Sequence, residues 1–245
     1  MKRKAHASLD IVTRIVKAQK IEILLELKPT SKPLRILEIG CGSGGIAYYF
    51  AVHQTIKCHV STVDVHDNRI ICDHYDFQKV EGVELPFNNN SFDIVITNHV
   101  IEHVGEAPQQ LTHLKEIQRV LVPDGQCYLA VPNRWMLTEP HYRLKFLSWF
   151  PKKWRNHYLK LWGKGDYYDC EPLCLPELEK LLQQAHVNFE NISVKATKVT
   201  LALEQPNSFI NALIQKLPNK FLSIFKPIIP TLIYRLTPIK NEKSE

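Results

Sequence analysis

The chain has 245 residues, of which 44% are hydrophobic, and this size and composition suit one α/β domain with a substantial core. Its formal net charge of +6 comes from scattered basic residues, which are typical of a solvated surface. The alternative is an anionic partner, for which we expect lipid rather than nucleic acid. The six cysteines form no Cys-x-x-Cys framework, and no signal-peptide stretch opens the chain. These features argue against a disulfide scaffold and predict a cytoplasmic protein with reduced thiols.

The amino-terminal part predicts a helix, a buried strand and a second helix. Residues 8–27 place apolar side chains at helical spacing, and Pro29 ends that helix. The helix either packs on the edge of a sheet or covers a bound cofactor. Residues 34–39 form an apolar run typical of a buried strand, and a helix over about 44–53 follows it.

The turn between that strand and its helix fits two cofactor patterns. Gly40, Gly42 and Gly45 satisfy G-x-G-x-x-G, the fingerprint of dinucleotide-binding proteins. Gly40, Gly42 and Gly44 satisfy G-x-G-x-G, which together with Glu38 resembles motif I of the class I S-adenosylmethionine-dependent methyltransferases. In either class the bare backbone of the glycines lets a ligand approach closely.

The next strands leave the two patterns undecided. Residues 58–64 alternate as a strand and end in Asp64, an acid that can bind the ribose hydroxyls of either cofactor; Asp67 is the alternative. Residues 77–80 predict a third strand, and the β-branched run 92–98 predicts a fourth.

The middle of the chain resembles one family in particular. Glu-Leu-Pro-Phe at 84–87, Ser-Phe-Asp-Ile-Val at 91–95, Asn-His-Val-Ile-Glu-His-Val at 98–104 and Val-Leu-Val-Pro-Asp-Gly at 120–125 are similar, in this order, to the class I methyltransferases of the methyltransferase 11 type. The resemblance implies an α/β fold: a Rossmann-like, doubly wound, seven-stranded and mostly parallel sheet with an antiparallel seventh strand, in a three-layer α/β/α sandwich. We expect helices over 106–121 and 176–186, strand five over 126–131, strand six near 189–194 and strand seven over 198–203.

The resemblance also implies a site for S-adenosylmethionine, with S-adenosylhomocysteine as the product. The residues expected to hold it are Glu38, Gly40, Cys41 and Gly42 at the amino-acid end, Asp64 and Val65 at the ribose, Glu81 and Gly82 at the adenine, and Asn98 and His99 near the methyl group. Glu81-Gly82 departs from the family's Asp-Ala-like pair, and the longer Glu side chain makes the adenine contact the weakest of these assignments. The alternatives are a non-catalytic nucleotide-binding module and an NAD-dependent oxidoreductase.

Two short sequence patterns are similar to those of zinc-binding sites. His99-Val-Ile-Glu102-His103 fits H-x-x-E-H, in which two histidines on one helix face bind zinc. Cys170 and Cys174 are four residues apart, but no second pair completes a zinc site. We therefore predict no metal.

The remaining sequence contains the segments that we expect to contact the methyl acceptor. Residues 133–175, called the insert below, contain all four tryptophans and leave the ligand-binding edge of the sheet, so we expect a substrate lid; His141, Tyr142 and Asp166 are its candidate catalytic groups. We place the domain at 1–205 and an apolar, basic extension at 206–245. Its composition predicts peripheral membrane contact through 206–240, on the inner face, and a small-molecule or lipid-like methyl acceptor.

Overall fold

Strands and helices alternate through most of the chain in the computed structural model, which describes residues 10–239. The strands are β1 (Leu34–Ile39), β2 (Cys58–Asp64), β3 (Asp76–Lys79), β4 (Phe92–Asn98), β5 (Leu121–Pro132), β6 (Thr138–Glu139), β7 (Leu144–Lys145), β8 (Val187–Asn191) and β9 (Thr231–Pro238). The helices are α1 (Ile11–Leu25), α2 (Gly45–Ala51), α3 (Ala107–Val120), α4 (Lys152–Leu161), α5 (Leu175–Gln184), α6 (Ser193–Glu204), α7 (Phe209–Lys216) and α8 (Asn219–Leu222). Short 3₁₀ helices lie at Ile101–His103, Leu147–Trp149 and Ser223–Ile228.

Seven of the strands form one twisted sheet in the order β3–β2–β1–β4–β5–β9–β8. The first five run parallel, whereas β9 is antiparallel to both β5 and β8. The predicted fold class is therefore confirmed: a doubly wound, mostly parallel sheet with one antiparallel strand. The carboxyl ends of β1, β2, β4 and β5 consequently share one edge, where ligands bind in such sheets.

The seventh strand itself comes from a different part of the chain than predicted. Residues 198–203, expected to be that strand, lie inside helix α6, and the antiparallel strand is Thr231–Pro238. The β-branched run around Val199 favours a strand locally, but Val194 and Ala196 are buried when the segment is a helix packed against α1 and β9. Residues 231–238 are favoured as the sheet strand because Leu232, Tyr234 and Leu236 become fully buried there.

This exchange overturns the domain boundary expected at 205. A strand inside the sheet belongs to the domain, so the sheet extends to Pro238. Of the predicted extension, residues 206–230 precede this strand and are called the tail below. Residues 1–9 of the predicted domain and 240–245 of the predicted extension lie outside the described residues. Strand six is also displaced, from 189–194 to Val187–Asn191.

Helices cover both faces of the sheet, each over its own apolar core. On one face α1, α2 and α6 bury side chains that include Ile21, Phe50 and Ala196 against the strands. On the other face α3 and α5 bury side chains that include Ile117 and Leu178. The predicted three-layer arrangement follows from these two cores. Among residues 10–239 no helix combines the length and apolar character needed to span a bilayer.

Candidate functional site

The turn after β1 lies at the ligand-binding edge of the sheet, and its residues 41–44 are buried. Gly40 has φ of 80°, and a Cβ built there would lie 2.5 Å from Cγ2 of Val100, which follows β4. A side chain at this position would therefore meet both a left-handed backbone and a steric clash. Gly42, at φ of 56°, also has the left-handed conformation. The glycine pattern is thus explained by the turn's own geometry.

Asp64 lies beside this turn, as predicted for a ribose-binding acid. Its Oδ2 accepts a hydrogen bond of 3.0 Å from the backbone N–H of Gly42, and its Oδ1 accepts one of 3.1 Å from that of His66. The alternative acid, Asp67, instead forms an ion pair of 2.8 Å with Arg69. Val65 follows Asp64 at the edge and is 45% exposed. The turn and the carboxylate are thereby fixed relative to each other.

Glu38 places a buried carboxyl group beneath the same turn. Its side chain is fully buried, and neither oxygen has a hydrogen-bond partner among residues 10–239. Burial raises the pKa of Glu38 to about 8, although the Arg14 guanidinium opposes the shift. Burial likewise raises the pKa of the neighbouring Cys41 thiol to about 12. A cationic ligand group would compensate the buried Glu38 carboxylate, and the α-ammonium of S-adenosylmethionine is such a group.

The residues predicted at the adenine and the methyl group also reach this edge. The backbone N–H of Val80 donates to the carbonyl of Asp64 at 3.0 Å, which brings the exposed pair Glu81 and Gly82 close to Asp64. A Cβ at Gly82 would meet nothing within 4 Å, so the surface there is open. Asn98 is nearly buried at the end of β4, and His99 follows it with φ of 60°.

A second polar cluster joins the exit of β4 to the insert. Sγ of Cys170 lies 3.7 Å from Nδ1 of His103 and 3.8 Å from Nδ1 of His141. The two imidazoles meet edge to face with their centroids 5.0 Å apart. The predicted site residue His141 is thus near the strand-four exit, next to the loop that carries His99 and Val100.

Buried carboxylates surround this cluster. Oε1 of Glu139 is 2.8 Å from Nδ1 of His141, and its Oε2 accepts the backbone N–H of Tyr142 at 2.7 Å. Burial alone would lower the pKa of His141, but its hydrogen bond to Glu139 and the charges of Glu102 and Asp169 raise it above the usual value. Burial and the same carboxylates raise the pKa of the Cys170 thiol.

Glu102 is the most enclosed of these acids. Its side chain is fully buried, with Oε1 3.6 Å from Nδ1 of His99 and 3.9 Å from Nε2 of His103. Neither oxygen forms a hydrogen bond with another described residue. Burial alone would raise the pKa of Glu102, but the two imidazoles lower it below the usual range.

Asp166 does not join the other two catalytic candidates. Its side chain is 81% exposed and lies 3.8 Å from Nζ of Lys160. The hydroxyl of Tyr142 instead donates to Oδ1 of the buried Asp169 at 3.0 Å. Glu139, Asp169 and Cys170 were not predicted as site residues. The acid two positions before His141 was a usable signal, whereas 67 residues separate Cys170 from His103, and only the fold brings them together.

The two zinc patterns considered in the sequence do not form as such. H-x-x-E-H needs a continuous helix, but His99 has a left-handed backbone and only Ile101–His103 is helical, as one 3₁₀ turn. Its histidines therefore cannot share a helix face. Cys174 caps α5 together with Glu177 and forms no pair with Cys170.

The sheet order, the glycine turn and the acid after β2 define a class I S-adenosylmethionine-dependent methyltransferase domain, and S-adenosylmethionine is the cofactor of this class. The methyltransferase 11 family model, described as "Methyltransferase domain", matches residues 37–129. Residues 37–129 match this group of methyltransferases, which confirms the predicted resemblance and cofactor and sets aside the NAD alternative. The glycine turn and the buried Glu38 carboxyl group fit this cofactor.

Individual relatives agree on the class. The chain is 32% identical over 116 residues to a probable tRNA methyltransferase 9B of Homo sapiens, covering 45% of this chain and 23% of that protein. It is 32% identical over 131 residues to a cycloartenol-C-24-methyltransferase 1 of Oryza sativa subsp. japonica, covering 49% of this chain and 36% of that protein. The structure of a Haemonchus contortus phosphoethanolamine N-methyltransferase 2, with phosphomonomethylethanolamine and S-adenosylhomocysteine, has a TM-score of 0.52 at 18% identity, covering 90% of this chain and 52% of that one.

The relatives do not determine the acceptor. The match to this chain spans about a quarter to a third of the length of these two curated relatives. The two relatives are named for different acceptors, a tRNA and cycloartenol. The structural neighbour shares the fold of this chain at only 18% sequence identity. What this chain methylates must therefore be argued from its own residues.

Proposed function

We propose that this chain transfers the methyl group of S-adenosylmethionine to a small-molecule acceptor that is lipid-linked or otherwise membrane-borne. The transfer is supported chiefly by the bare turn at Gly40 with Glu38 and Asp64 beside it. When bound, the cofactor supplies a methyl group on a sulfonium, and the thioether that leaves needs no proton. Positioning the acceptor and excluding water are then the protein's main tasks.

The family resemblance assigns the cofactor-binding roles, and the positions of these residues along the edge support them. Glu38 faces the amino-acid end with Gly40, Cys41 and Gly42, and Asp64 and Val65 contact the ribose. Glu81 and Gly82 contact the adenine from the open side of Asp64, and Asn98 and His99 border the methyl group at the exit of β4.

The insert contributes the acceptor side of the site. His141 is 12% exposed, and Glu139 fixes its ring, so it is a rigid polar group rather than a mobile one. The Tyr142 hydroxyl is likewise fixed, by Asp169. We assign both side chains to orienting the acceptor. Asp169 replaces Asp166 in this assignment because only Asp169 is beside Tyr142.

The tail supplies the argument for a membrane-borne acceptor. Large apolar side chains are exposed along α7, α8 and the following 3₁₀ helix: Phe209, Ile210, Leu213, Phe221, Ile224, Phe225 and Ile228. Lys216, Lys220 and Lys226 lie between them, and no acidic residue occurs from 205 to 241. An exposed apolar patch with a cationic border is typical of a surface that binds anionic lipid.

This patch and the site are tied to the same edge of the sheet. The Asn133 side-chain amide, just after β5, donates to the carbonyls of Pro227 and Ile229 at 2.8 Å each. Thr231, at the start of β9, pairs with Pro132 at the end of β5. A membrane bound to the tail would therefore lie near the opening through which an acceptor enters.

Methyl transfer to fractionated cell extract tests the activity and the acceptor class. The full chain, incubated with methyl-labelled S-adenosylmethionine, should label the organic-phase lipid fraction, and Asp64→Ala should label it at least tenfold less. Label confined to the aqueous metabolite or RNA fraction would reject the lipid-linked acceptor but keep the enzyme. No label in any fraction, with cofactor binding intact, would favour the non-catalytic module.

Vesicle co-sedimentation tests the membrane contact separately. The chain should sediment with phosphatidylglycerol-containing vesicles and not with pure phosphatidylcholine. Replacing Phe209, Ile224 and Phe225 by Gln should abolish sedimentation, whereas Val12→Gln, at a site 71% exposed on α1, should not. Equal sedimentation of the triple variant would remove the tail from the proposal.

A further inference from the structure

The cluster of His103, His141 and Cys170 has a use that methyl transfer does not require. One ligand atom from each of these residues lies within 4.8 Å of the others. Two nitrogen ligands and one sulfur ligand form a donor set that borderline-soft divalent metals prefer. We propose that these three residues bind a divalent transition metal, with zinc the best match to the donors.

The distances within the cluster suit tetrahedral coordination. Zinc–sulfur and zinc–nitrogen bonds of about 2.3 and 2.05 Å at a tetrahedral angle place the two ligand atoms about 3.6 Å apart. The Cys170 sulfur is 3.7 and 3.8 Å from Nδ1 of His103 and of His141. The two sulfur–nitrogen distances therefore already match those of a tetrahedral zinc site.

Two carboxylates lie next to the imidazoles, in different positions relative to the nitrogens that face Cys170. Glu139 is 2.8 Å from Nδ1 of His141, the same nitrogen that faces Cys170, so with a metal bound there it would be placed as a fourth ligand. Glu102 lies 3.9 Å from Nε2 of His103, while the other nitrogen of that ring faces Cys170. Carboxylates behind metal-binding imidazoles are a regular feature of zinc sites.

The buried charge around the cluster also favours a bound cation. Glu102, Glu139 and Asp169 are nearly inaccessible to solvent, and the Glu102 oxygens form no hydrogen bond with another residue of the described chain. Grouping these acids with a buried cysteine requires positive charge among them, which the imidazoles of His99, His103 and His141 can supply when protonated. A divalent ion bound to neutral imidazoles would supply it as well.

The metal would also connect two parts of the site. His103 follows β4, whereas His141 and Cys170 belong to the insert. Bound metal would therefore hold the insert over the exit of β4. This inference concerns metal binding alone and does not depend on the acceptor.

Cobalt titration of the full chain tests the site without an activity assay. After treatment with a chelator, the chain should bind one Co²⁺ and develop thiolate-to-cobalt charge-transfer absorption, and Zn²⁺ should displace the Co²⁺. Cys170→Ser should lose the band and bind at least about 100-fold more weakly. Cys72→Ser, which removes an exposed thiol, should behave as the wild type does.

Further variants protect the result from a folding artefact. His103→Gln and Glu139→Gln keep the thiol, and both should weaken binding about 10-fold or more with unchanged circular dichroism. His157→Gln, at an exposed position of α4, is their control. A wild-type chain that binds no cobalt, or variants at 170 and 103 that bind it as the wild type does, would overturn the proposal.

Discussion

The two sides of the ligand-binding edge are built in opposite ways. On the side of β1 and β2, the site consists of bare backbone at Gly40 and Gly42, with the single carboxylates of Glu38 and Asp64. On the side of β5, it consists of side chains contributed by the insert, held in a buried polar cluster. The first construction suits one constant ligand. The second can vary with the acceptor while the cofactor side stays the same.

The largest effect is expected from a substitution in β9, which tests whether this last strand is an integral part of the sheet that carries the cofactor side. Tyr234 is fully buried in β9, and its hydroxyl contacts Glu179 and Asn191 at 2.8 and 2.9 Å. Tyr234→Ala should lower the free energy of unfolding by about 3–5 kcal/mol through loss of packing, measured by denaturant titration. Tyr167→Ala, at a 46% exposed position, should change it by less than about 0.5 kcal/mol. Equal stabilities would mean that β9 is not integral to the sheet.

Backbone chemistry on the cofactor side is tested next. Gly40→Ala should weaken S-adenosylmethionine binding more than tenfold, because the left-handed backbone costs about 1–2 kcal/mol and the new methyl meets Val100. Gly163→Ala imposes the same backbone conformation in open space, and it should leave cofactor affinity unchanged. Calorimetry measures both. A normal affinity for Gly40→Ala would contradict the close backbone approach.

The ribose assignment has a smaller expected effect. Asp64→Ala should weaken binding by about 1–3 kcal/mol through loss of charged hydrogen bonds. Asp67→Ala is the matched control, since Asp67 pairs with Arg69 and not with the turn. If Asp67→Ala instead produced the larger loss, the alternative acid would be the ribose ligand.

The buried carboxyl group predicts a pH dependence on the cofactor side alone. The pKa of Glu38 is raised to about 8, so below that pH the empty site carries a neutral carboxyl group. Pairing with the ammonium of the cofactor requires ionisation, so affinity should rise with pH from 6 to 8, by up to about 1.4 kcal/mol per unit. Folding has the opposite sign: this group's contribution to stability declines as pH rises from about 4.5 through 8. Glu38→Gln should flatten the binding profile; a steep profile in that variant would assign the titration elsewhere.

These two sides also differ in what the sequence could predict. The glycine turn, Asp64 and β4 are local patterns, and the structure has them at the predicted positions. The predicted position of the seventh strand was wrong because Val199 and its neighbours favour a strand locally, whereas packing against α1 makes them a helix. Cys170 could not be joined to His103 from sequence, because their contact depends on how the insert folds back. Local chemistry was predictable, and long-range juxtaposition was not.

The position of β9 has a consequence for how the chain is made. Strands β1 to β5 can pair as soon as the ribosome has produced residue 132, but β8 hydrogen-bonds to β9 alone in the sheet. Residues 133–230 must be synthesised before β9 can pair with β5, which takes about 5–20 seconds at the usual rate of translation. During that time the nascent half-sheet presents two unpaired edges, and a chaperone that shields exposed strands would be most useful to it then.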